Sequence, residues 1–420
     1  MVQTRQIAAA LVAAVAMASS ARAITHSDRP ASIQVWPKIV VDTSGRFSGG
    51  VPVNTLLTMS NTDTANVVQA HCFYVNANSH CADNPARVCR SASDCTTVGN
   101  AGTTVAECDP GWNEMDFNIN LTLQQPLEWY ANGGLQRGQF PIEGPFKCNS
   151  PFQSIDCTSD LQCFGVGCNG VDSSNLGSGI PPVPEDPFIG SLTCLQWDPE
   201  AETVQQDTSL DNMLIGDATI IEGAFGARTD VAKYNAVGLA HLTNLGTDAN
   251  QDVMNLDDVE FAACPSTLVL SFLFDGAVDP LGTGPTETVS TDLTLVPCAN
   301  DFAAQVPGRT TAQFLVFNEF EQRFSTSRTV DCLFDGALSS IDTRNPARSI
   351  FSAGVGGSIA GQTRIRGVGG NLGSGGLLGV AQQSIANKTG GPSNAAYNLH
   401  QQGSRGSGGA AGPDVIILPD

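Results

Sequence analysis

The chain has 420 residues, of which 41 are acidic and 20 are basic, and its net charge is −21. A chain of this length can form two domains with separate cores, and an apolar fraction of 41% is ordinary for a folded protein. The acidic excess argues against a nucleic-acid partner, because phosphate backbones are bound by clusters of lysine and arginine. Composition therefore excludes global disorder and nucleic-acid binding.

Residues 1–23 have the features of a secretory signal peptide. Arg5 precedes an apolar run from Ile7 to Ala18, and the small residues that follow predict cleavage after Ala23. The run is shorter than the ~20 residues that a membrane-spanning helix needs, and no later segment is apolar for long enough. We therefore expect an exported mature chain with no transmembrane segment, located in the medium, the periplasm or on the cell surface.

The next elements alternate apolar and polar residues with a period of two. Residues 116–123 place Phe117, Ile119, Leu121 and Leu123 on one face and polar residues on the other, as in a half-buried strand. Turn residues separate similar segments at 38–42, 54–60, 67–76, 189–197, 212–221 and 233–241. Strands without intervening helices predict an all-β fold, with an antiparallel β-sandwich-like domain over 24–245.

Two groups of four cysteines interrupt this domain, at 81–108 and 148–168. The groups are Cys81, Cys89, Cys95 and Cys108, and Cys148, Cys157, Cys163 and Cys168. In an oxidising compartment we expect two disulfide-stapled loop insertions, with their connectivity left open. A zinc site is the alternative, which the lack of Cys-x2-Cys spacing disfavours.

Five more cysteines lie in or beside strand-like segments: Cys72, Cys194, Cys264, Cys298 and Cys332. Because five is odd, at least one of them is free or pairs with a cluster or another chain. We favour the pairs Cys72–Cys194 and Cys298–Cys332, which leaves Cys264 over.

An acidic connection at 246–264 separates the first domain from a second β-rich domain at 265–385. Its candidate calcium ligands are Asp248, Asn250, Asp252 and Asp258. The first three occupy positions one, three and five of a calcium loop, where oxygen ligands recur. Val253 replaces the sixth-position glycine, and Val259 replaces the bidentate acid. The segment is therefore either a calcium site, calcium being the one cofactor suggested, or a solvated connection.

Glycine is concentrated at the C-terminal end, where 18 of the 44 glycines fall among the last 67 residues. The glycine runs at 367–376 lack the lysine and the following helix of a phosphate-binding loop. Residues 386–420 are expected to form a flexible Gly-rich tail. The tail ends in an apolar hook at 415–418 that could dock on a sheet edge.

No catalytic constellation is apparent in the sequence. The five histidines form no His-Glu-x-x-His motif, and no Gly-x-Ser-x-Gly motif is present. Glu319 and Glu321 have the spacing of two carboxylates on one strand face, but a solvated face over a buried one explains them with no catalysis. Trp129 and Tyr130 are candidates for stacking on sugar rings.

Three segments, at 71–77, 293–298 and 313–326, resemble exported β-rich proteins of environmental bacteria. The resemblance implies bacterial export and a shared β architecture, and it carries no activity and no functional residue. We expect a non-enzymatic extracellular or cell-surface protein with a structural or adhesive role, whose partners are surface or matrix components. The alternative is a secreted module that binds or hydrolyses polysaccharide.

Overall fold

The structure is a computed structural model. It describes residues 25–95, 107–135, 146–148, 156–157, 168–169, 179–198, 203–204, 212–224, 227–242, 252–277, 288–386, 393–406 and 409–419. The signal peptide expected at 1–23 lies outside these residues. Within the described ranges, no helix is long and apolar enough to cross a membrane. The fold consists of β-strands and short 3-10 helices, which confirms the expected all-β class.

The strands of the first half are β1 (Ile33–Val41), β2 (Val53–Asn61), β3 (Val68–Asn76), β4 (Ser79–Cys81), β5 (Asn84–Cys89), β6 (Cys108–Pro110), β7 (Asn113–Leu121), β8 (Pro126–Tyr130), β9 (Phe146–Cys148), β10 (Asp156–Cys157), β11 (Cys168–Asn169), β12 (Phe188–Asp198), β13 (Thr203–Val204), β14 (Leu214–Ala224), β15 (Ala227–Asn235) and β16 (Val237–Leu239). The strands of the second half are β17 (Val253–Leu256), β18 (Pro265–Leu273), β19 (Thr288–Pro297), β20 (Asn300–Asp301), β21 (Arg309–Asn318), β22 (Arg323–Asp331), β23 (Phe334–Ala337), β24 (Ala360–Val368), β25 (Leu377–Ala386), β26 (Ser393–Asn398), β27 (His400–Ser404) and β28 (Asp414–Ile417). Short 3-10 helices lie at Ala92–Cys95, Leu338–Ser340, Pro346–Arg348 and Gly409–Ala411.

Two sheets of the first half enclose one apolar core. One has the strand order β16-β1-β12-β3-β7, and the other has the order β15-β14-β2-β8. Trp36, Tyr74 and Leu57 lie fully buried in this core, because the inward faces of both sheets carry the apolar residues of each alternating strand. The Cys72–Cys194 disulfide joins β3 to β12, at positions that are paired in register, and it is the pair that the sequence favoured.

The first cysteine cluster forms a small three-stranded sheet, in the order β5-β4-β6, held by two disulfides. Cys81 bonds to Cys95, and Cys89 bonds to Cys108. In the second cluster the backbone has the same arrangement, β10-β9-β11, and Cys148 is opposite Cys168 just as Cys81 is opposite Cys108. Cys163 lies outside the described residues.

The second half forms another pair of sheets. Their strand orders are β22-β21-β24-β18-β27 and β23-β19-β25-β26. Phe272, Leu295, Phe314 and Ile365 are buried between them. Residues beyond 385, expected to form a flexible tail, instead supply β26, β27 and β28, each paired with another strand. That expectation was wrong because tertiary partners hydrogen-bond the backbone of these polar, glycine-containing segments.

A second apolar cluster fills the seam between the two halves. Phe73 from β3 stacks on Phe302, with ring centroids 4.2 Å apart. The terminal hook contributes Ile416 and Leu418, since β28 pairs with β17 and β20 at this seam. The described C-terminal strand is therefore part of the interface between the halves.

The expected Cys298–Cys332 disulfide is wrong. Cys298, which follows β19, bonds to Cys264, which precedes β18. Gly376 lies close to both residues. Its backbone carbonyl accepts a hydrogen bond from the Cys298 amide at 3.0 Å, and a Cβ atom at Gly376 would lie 2.5 Å from the Cβ of Cys264. Cys332 is a buried free thiol instead, because Cys298, its expected partner, is already bonded to Cys264.

Candidate functional site

A groove of about 760 Å³ crosses the solvent-facing side of the five-stranded sheet in the second half. We call it the arginine groove. The side chains that line it are Thr267, Gln313, Leu315, Ser325, Thr326, Ser327, Arg364 and Arg366, with Phe314 beneath. Hydroxyl, amide and guanidinium groups therefore cover an open sheet face.

Strand alternation places the two arginines side by side. In β24 the side chains of Thr363 and Ile365 are buried, and those of Arg364 and Arg366 are exposed. Arg366 lies opposite Gln313 of β21, which in turn lies opposite Ser327 of β22. Arg366 thus lies in a row of polar side chains across three strands, whereas Arg364 lies in a row with Leu315 and Ser325.

Among the described residues, neither guanidinium group of the arginine groove has an ion-pair or hydrogen-bond partner. Neither Arg364 nor Arg366 forms an ion pair or side-chain hydrogen bond with any described residue. Arg405 lies near Arg366. Burial and the positive charge of Arg366 lower the pKa of Arg405, although the negative charge of Asp414 raises it. The groove is therefore a local concentration of positive charge on a protein of net charge −21.

This arrangement is suited to holding an extended anionic ligand. A guanidinium group binds a carboxylate or a sulfate through two parallel hydrogen bonds. The serine, threonine and glutamine side chains of the same rows, such as Gln313 and Ser327, both donate and accept hydrogen bonds. A ligand that carries acidic groups along a hydroxyl-rich chain would satisfy both kinds of group.

The predicted calcium ligands are only partly described. Asp248 and Asn250 lie outside the described residues, and Asp252 precedes β17. Asp258 accepts a hydrogen bond from the amide of Ala263 at 2.9 Å and another from the hydroxyl of Ser404. Its carboxylate is therefore engaged in holding the loop, and the calcium site stays a prediction.

The proposed sugar-stacking pair does not form a platform. Trp129 is 2% exposed in the core of the first sandwich, and its indole N–H donates to the hydroxyl of Tyr74 at 2.6 Å. Tyr130 is partly buried at the end of the same strand. A role for Trp129 in stacking is wrong because its side chain faces the opposing sheet rather than the solvent.

Glu319 and Glu321 lie in the turn between β21 and β22 rather than along one strand. The Asn318 side chain accepts hydrogen bonds from the amides of Phe320 and Gln322, which closes that turn. The Glu319 carboxylate is bound by Ser358 and Ile359, and these hydrogen bonds lower its pKa although burial opposes them. The two glutamates are therefore not presented as a catalytic pair.

Cysteine sulfurs come together in the first cluster, where the Sγ atoms of Cys81, Cys89 and Cys95 lie within 4.8 Å of one another. All three are in disulfides, so none offers the thiolate that zinc requires. This part of the chain supports the disulfide interpretation.

Sequence reasoning missed the arginine groove. The signal was present in Thr363-Arg364-Ile365-Arg366, because two arginines two residues apart in a strand share one face. The contributions of β21, β22 and β18 depend on strand order, which the sequence did not reveal. No protein-family model matches the chain, and no curated protein matches it.

Proposed function

We propose that this chain is an exported, non-enzymatic protein of the cell surface or extracellular matrix that adheres to acidic polysaccharide through the arginine groove. The observation that carries the proposal is the pair Arg364 and Arg366, exposed and without partners among the described residues, in a groove of about 760 Å³ on an acidic protein. An acidic surface elsewhere would repel such a polymer and so restrict its binding to this face.

The arginine groove also matches the shape of a polysaccharide. An open sheet face accommodates a long chain that enters and leaves at either end, whereas an enclosed pocket holds a small molecule. Rows of hydroxyl and amide groups, including those of Ser325 and Gln313, can bond to sugar hydroxyls between the acidic groups.

Calorimetry of the mature protein with polygalacturonate, hyaluronate and neutral dextran tests the proposal. We expect binding to one or both acidic polymers that weakens with added salt, and none to dextran. Arg364→Gln combined with Arg366→Gln should reduce affinity by about tenfold or more, since each bond to a charged group contributes about 1.5–3 kcal/mol. Arg344→Gln combined with Arg348→Gln, which alters exposed arginines outside the groove, is the matched control.

Two results would count against the proposal. One is the absence of binding to either acidic polymer at low salt. The other is equal loss of affinity in the groove and control variants, which would indicate attraction by total charge alone. Fractionation of cells that produce the full chain tests export separately, and retention of the uncleaved protein in the cytoplasm would contradict that part.

A further inference from the structure

Charged side chains from both halves meet in a cavity of about 320 Å³ at the seam between the sandwiches. The charged residues lining it are Lys38, Asp42, Arg90, Glu222, Asp292 and Asp335. The first four come from the first half and the last two from the second. The cavity lies apart from the arginine groove, and the adhesive function does not use it.

Lys38 and Asp335 are in direct contact across this seam. The Nζ atom of Lys38 lies 2.9 Å from Oδ1 of Asp335, and their side chains are 6% and 19% exposed. Thr294 donates a second hydrogen bond to the same carboxylate oxygen. The backbone of Lys38 is held by the hydroxyl of Tyr234, which accepts from its amide at 3.0 Å and donates to its carbonyl. An amine and a carboxyl group are thus held at hydrogen-bonding distance, and both side chains are mostly buried.

A third carboxyl group adjoins this pair. Asp292 is two residues before Thr294 on β19, and Thr294 lies directly opposite Asp335 on β23. Side chains two apart share a sheet face, so Asp292 is the diagonal neighbour of Asp335. Its carboxyl group forms no hydrogen bond to any described residue, and it lines the same cavity.

The charges of these groups respond to one another. Burial would lower the pKa of Lys38, but the negative charges of Asp335 and Asp292 raise it. Burial would raise the pKa of Asp335, but Lys38 and the Thr294 hydrogen bond lower it. Burial raises the pKa of Asp292, and the negative charges of Asp335 and Asp275 raise it further. The positive charge of Lys38 lowers it, but by less. Of the two carboxyl groups, Asp292 is therefore the one that more readily carries a proton.

We propose that Lys38 and Asp335 become joined by an amide bond, which makes the seam a covalent cross-link between the two halves. In the first step, a proton passes from Nζ to the Asp335 carboxylate along their hydrogen bond. The neutral amine then attacks Cγ of Asp335, and a nitrogen–carbon bond forms.

Asp292 moves the protons in the second step. Its carboxylic acid donates a proton to the departing hydroxyl of Asp335 as the carbon–oxygen bond breaks, and its carboxylate takes a proton from the nitrogen. One ammonium and one carboxylate thus yield one amide and one water, and Asp292 is regenerated. The positive charge of Arg90, near enough to lower the pKa of Asp335, would stabilise the oxyanion of the intermediate.

Burial and fixed geometry both favour the reaction. The two ions are mostly buried and have lost much of their hydration, and a neutral amide removes that cost. Holding the reacting groups together raises their effective concentration by many orders of magnitude over free groups in water. No oxidant, metal or second substrate is needed, because water is the leaving group.

Peptide mapping of the reduced, denatured mature protein tests the cross-link. Trypsin should leave Lys38 uncut and release the peptide ending at Arg46 joined to peptide 329–344, with a total mass lower by one water. A succinimide at the Asp335-Gly336 step also loses one water, but it leaves two separate peptides. Finding those two peptides unlinked in folded wild-type protein overturns the proposal.

Variants assign the roles. Lys38→Arg keeps the charge and should abolish the joined peptide. Asp292→Asn keeps the size but cannot exchange the proton, so it should slow bond formation about a hundredfold or more; linkage as complete as in the wild type would overturn its role. Lys233 and Asp217 provide an internal control, since they also lie 3.0 Å apart but Lys233 is 58% exposed. They should remain unlinked.

Discussion

The carboxylate of Asp414 accepts hydrogen bonds from the backbone amide of Gly376, at 3.0 Å and 3.1 Å. The amide of Gly375 and the hydroxyl of Ser374 bond to the same group, and Asp414 is 1% exposed. In the sequence this glycine run has some features of a phosphate-binding loop. In the structure its amides hold an internal carboxylate, and that contact fixes the start of the C-terminal strand.

Replacing Asp414 should therefore destabilise the protein. Asp414→Ala removes several hydrogen bonds to a buried charge, and we expect a loss of about 2–4 kcal/mol in the free energy of unfolding. Urea denaturation followed by tryptophan fluorescence measures it. Asp331→Ala is the control. The ion pair between Arg309 and Asp331 is 3.8 Å long and the Asp331 side chain is 46% exposed. Its loss should therefore cost about 0.5 kcal/mol or less in the free energy of unfolding. Equal effects of the two variants would refute the anchoring role.

Gly216 is required by the close packing of Trp36. A Cβ atom at this position would lie 2.3 Å from the indole ring and 2.4 Å from the carbonyl oxygen of Thr58. We expect Gly216→Ala to lower the free energy of unfolding by about 1–3 kcal/mol, as overpacked cores do. Gly133→Ala, where a Cβ meets no atom within 4 Å, should change it little. Thermal unfolding of both variants makes the comparison, and a stable Gly216→Ala protein would contradict this packing.

Glu114 should make stability depend on pH near neutrality. Burial, together with the charge of Asp116, raises the pKa of Glu114 to about 7 from its ordinary value of 4.5. The folded protein therefore binds this proton more tightly than the unfolded chain does. The stabilisation is complete below about pH 4.5 and is lost as the pH rises towards 7.

Glu114→Gln removes this dependence. Because the side chain is only partly buried, we expect a gain of only about 1 kcal/mol in the free energy of unfolding at pH 8, after screening by solvent. At pH 4.5 the variant and wild type should be equally stable. Glu128→Gln, at an exposed position of β8, is the control and should show no such pH-dependent difference. A gain that is the same at both pH values would contradict the assigned pKa.

Cys332 should be unreactive until the protein unfolds. Burial raises the pKa of its thiol far above the ordinary value, with a smaller contribution from the charge of Asp331, and only the thiolate is nucleophilic. Iodoacetamide at pH 8 should leave Cys332 unlabelled in the native protein and label it in urea without reductant. Cys264 and Cys298 should be labelled only after reduction. Labelling of Cys264 before reduction would show that the disulfide pairing differs.

Local sequence patterns predicted much of the secondary structure. The alternation over 116–123 corresponds to β7, and the apolar hook at 415–418 corresponds to β28 docked at the seam. These predictions succeed because alternating apolar and polar residues indicate that one face of a strand is buried. The pattern does not depend on which elements bury that face. The single strand face expected for Glu319 and Glu321 is instead a turn between β21 and β22, because Asn318 bonds to amides within that turn.

The sequence by itself determined the acidic charge, the all-β class and the disulfide-stapled insertion at 81–108, since these depend on composition and on neighbours along the chain. Only the tertiary structure decided that Cys264 pairs with Cys298, that Arg364 faces Leu315 in an open groove, and that Lys38 meets Asp335. Lys38 and Asp335 are 297 residues apart in sequence. Contacts of this kind follow from strand order and from the packing of one sandwich against the other. A sequence period of two residues specifies which sheet face a side chain occupies. It does not specify which residues of other strands pack against that face.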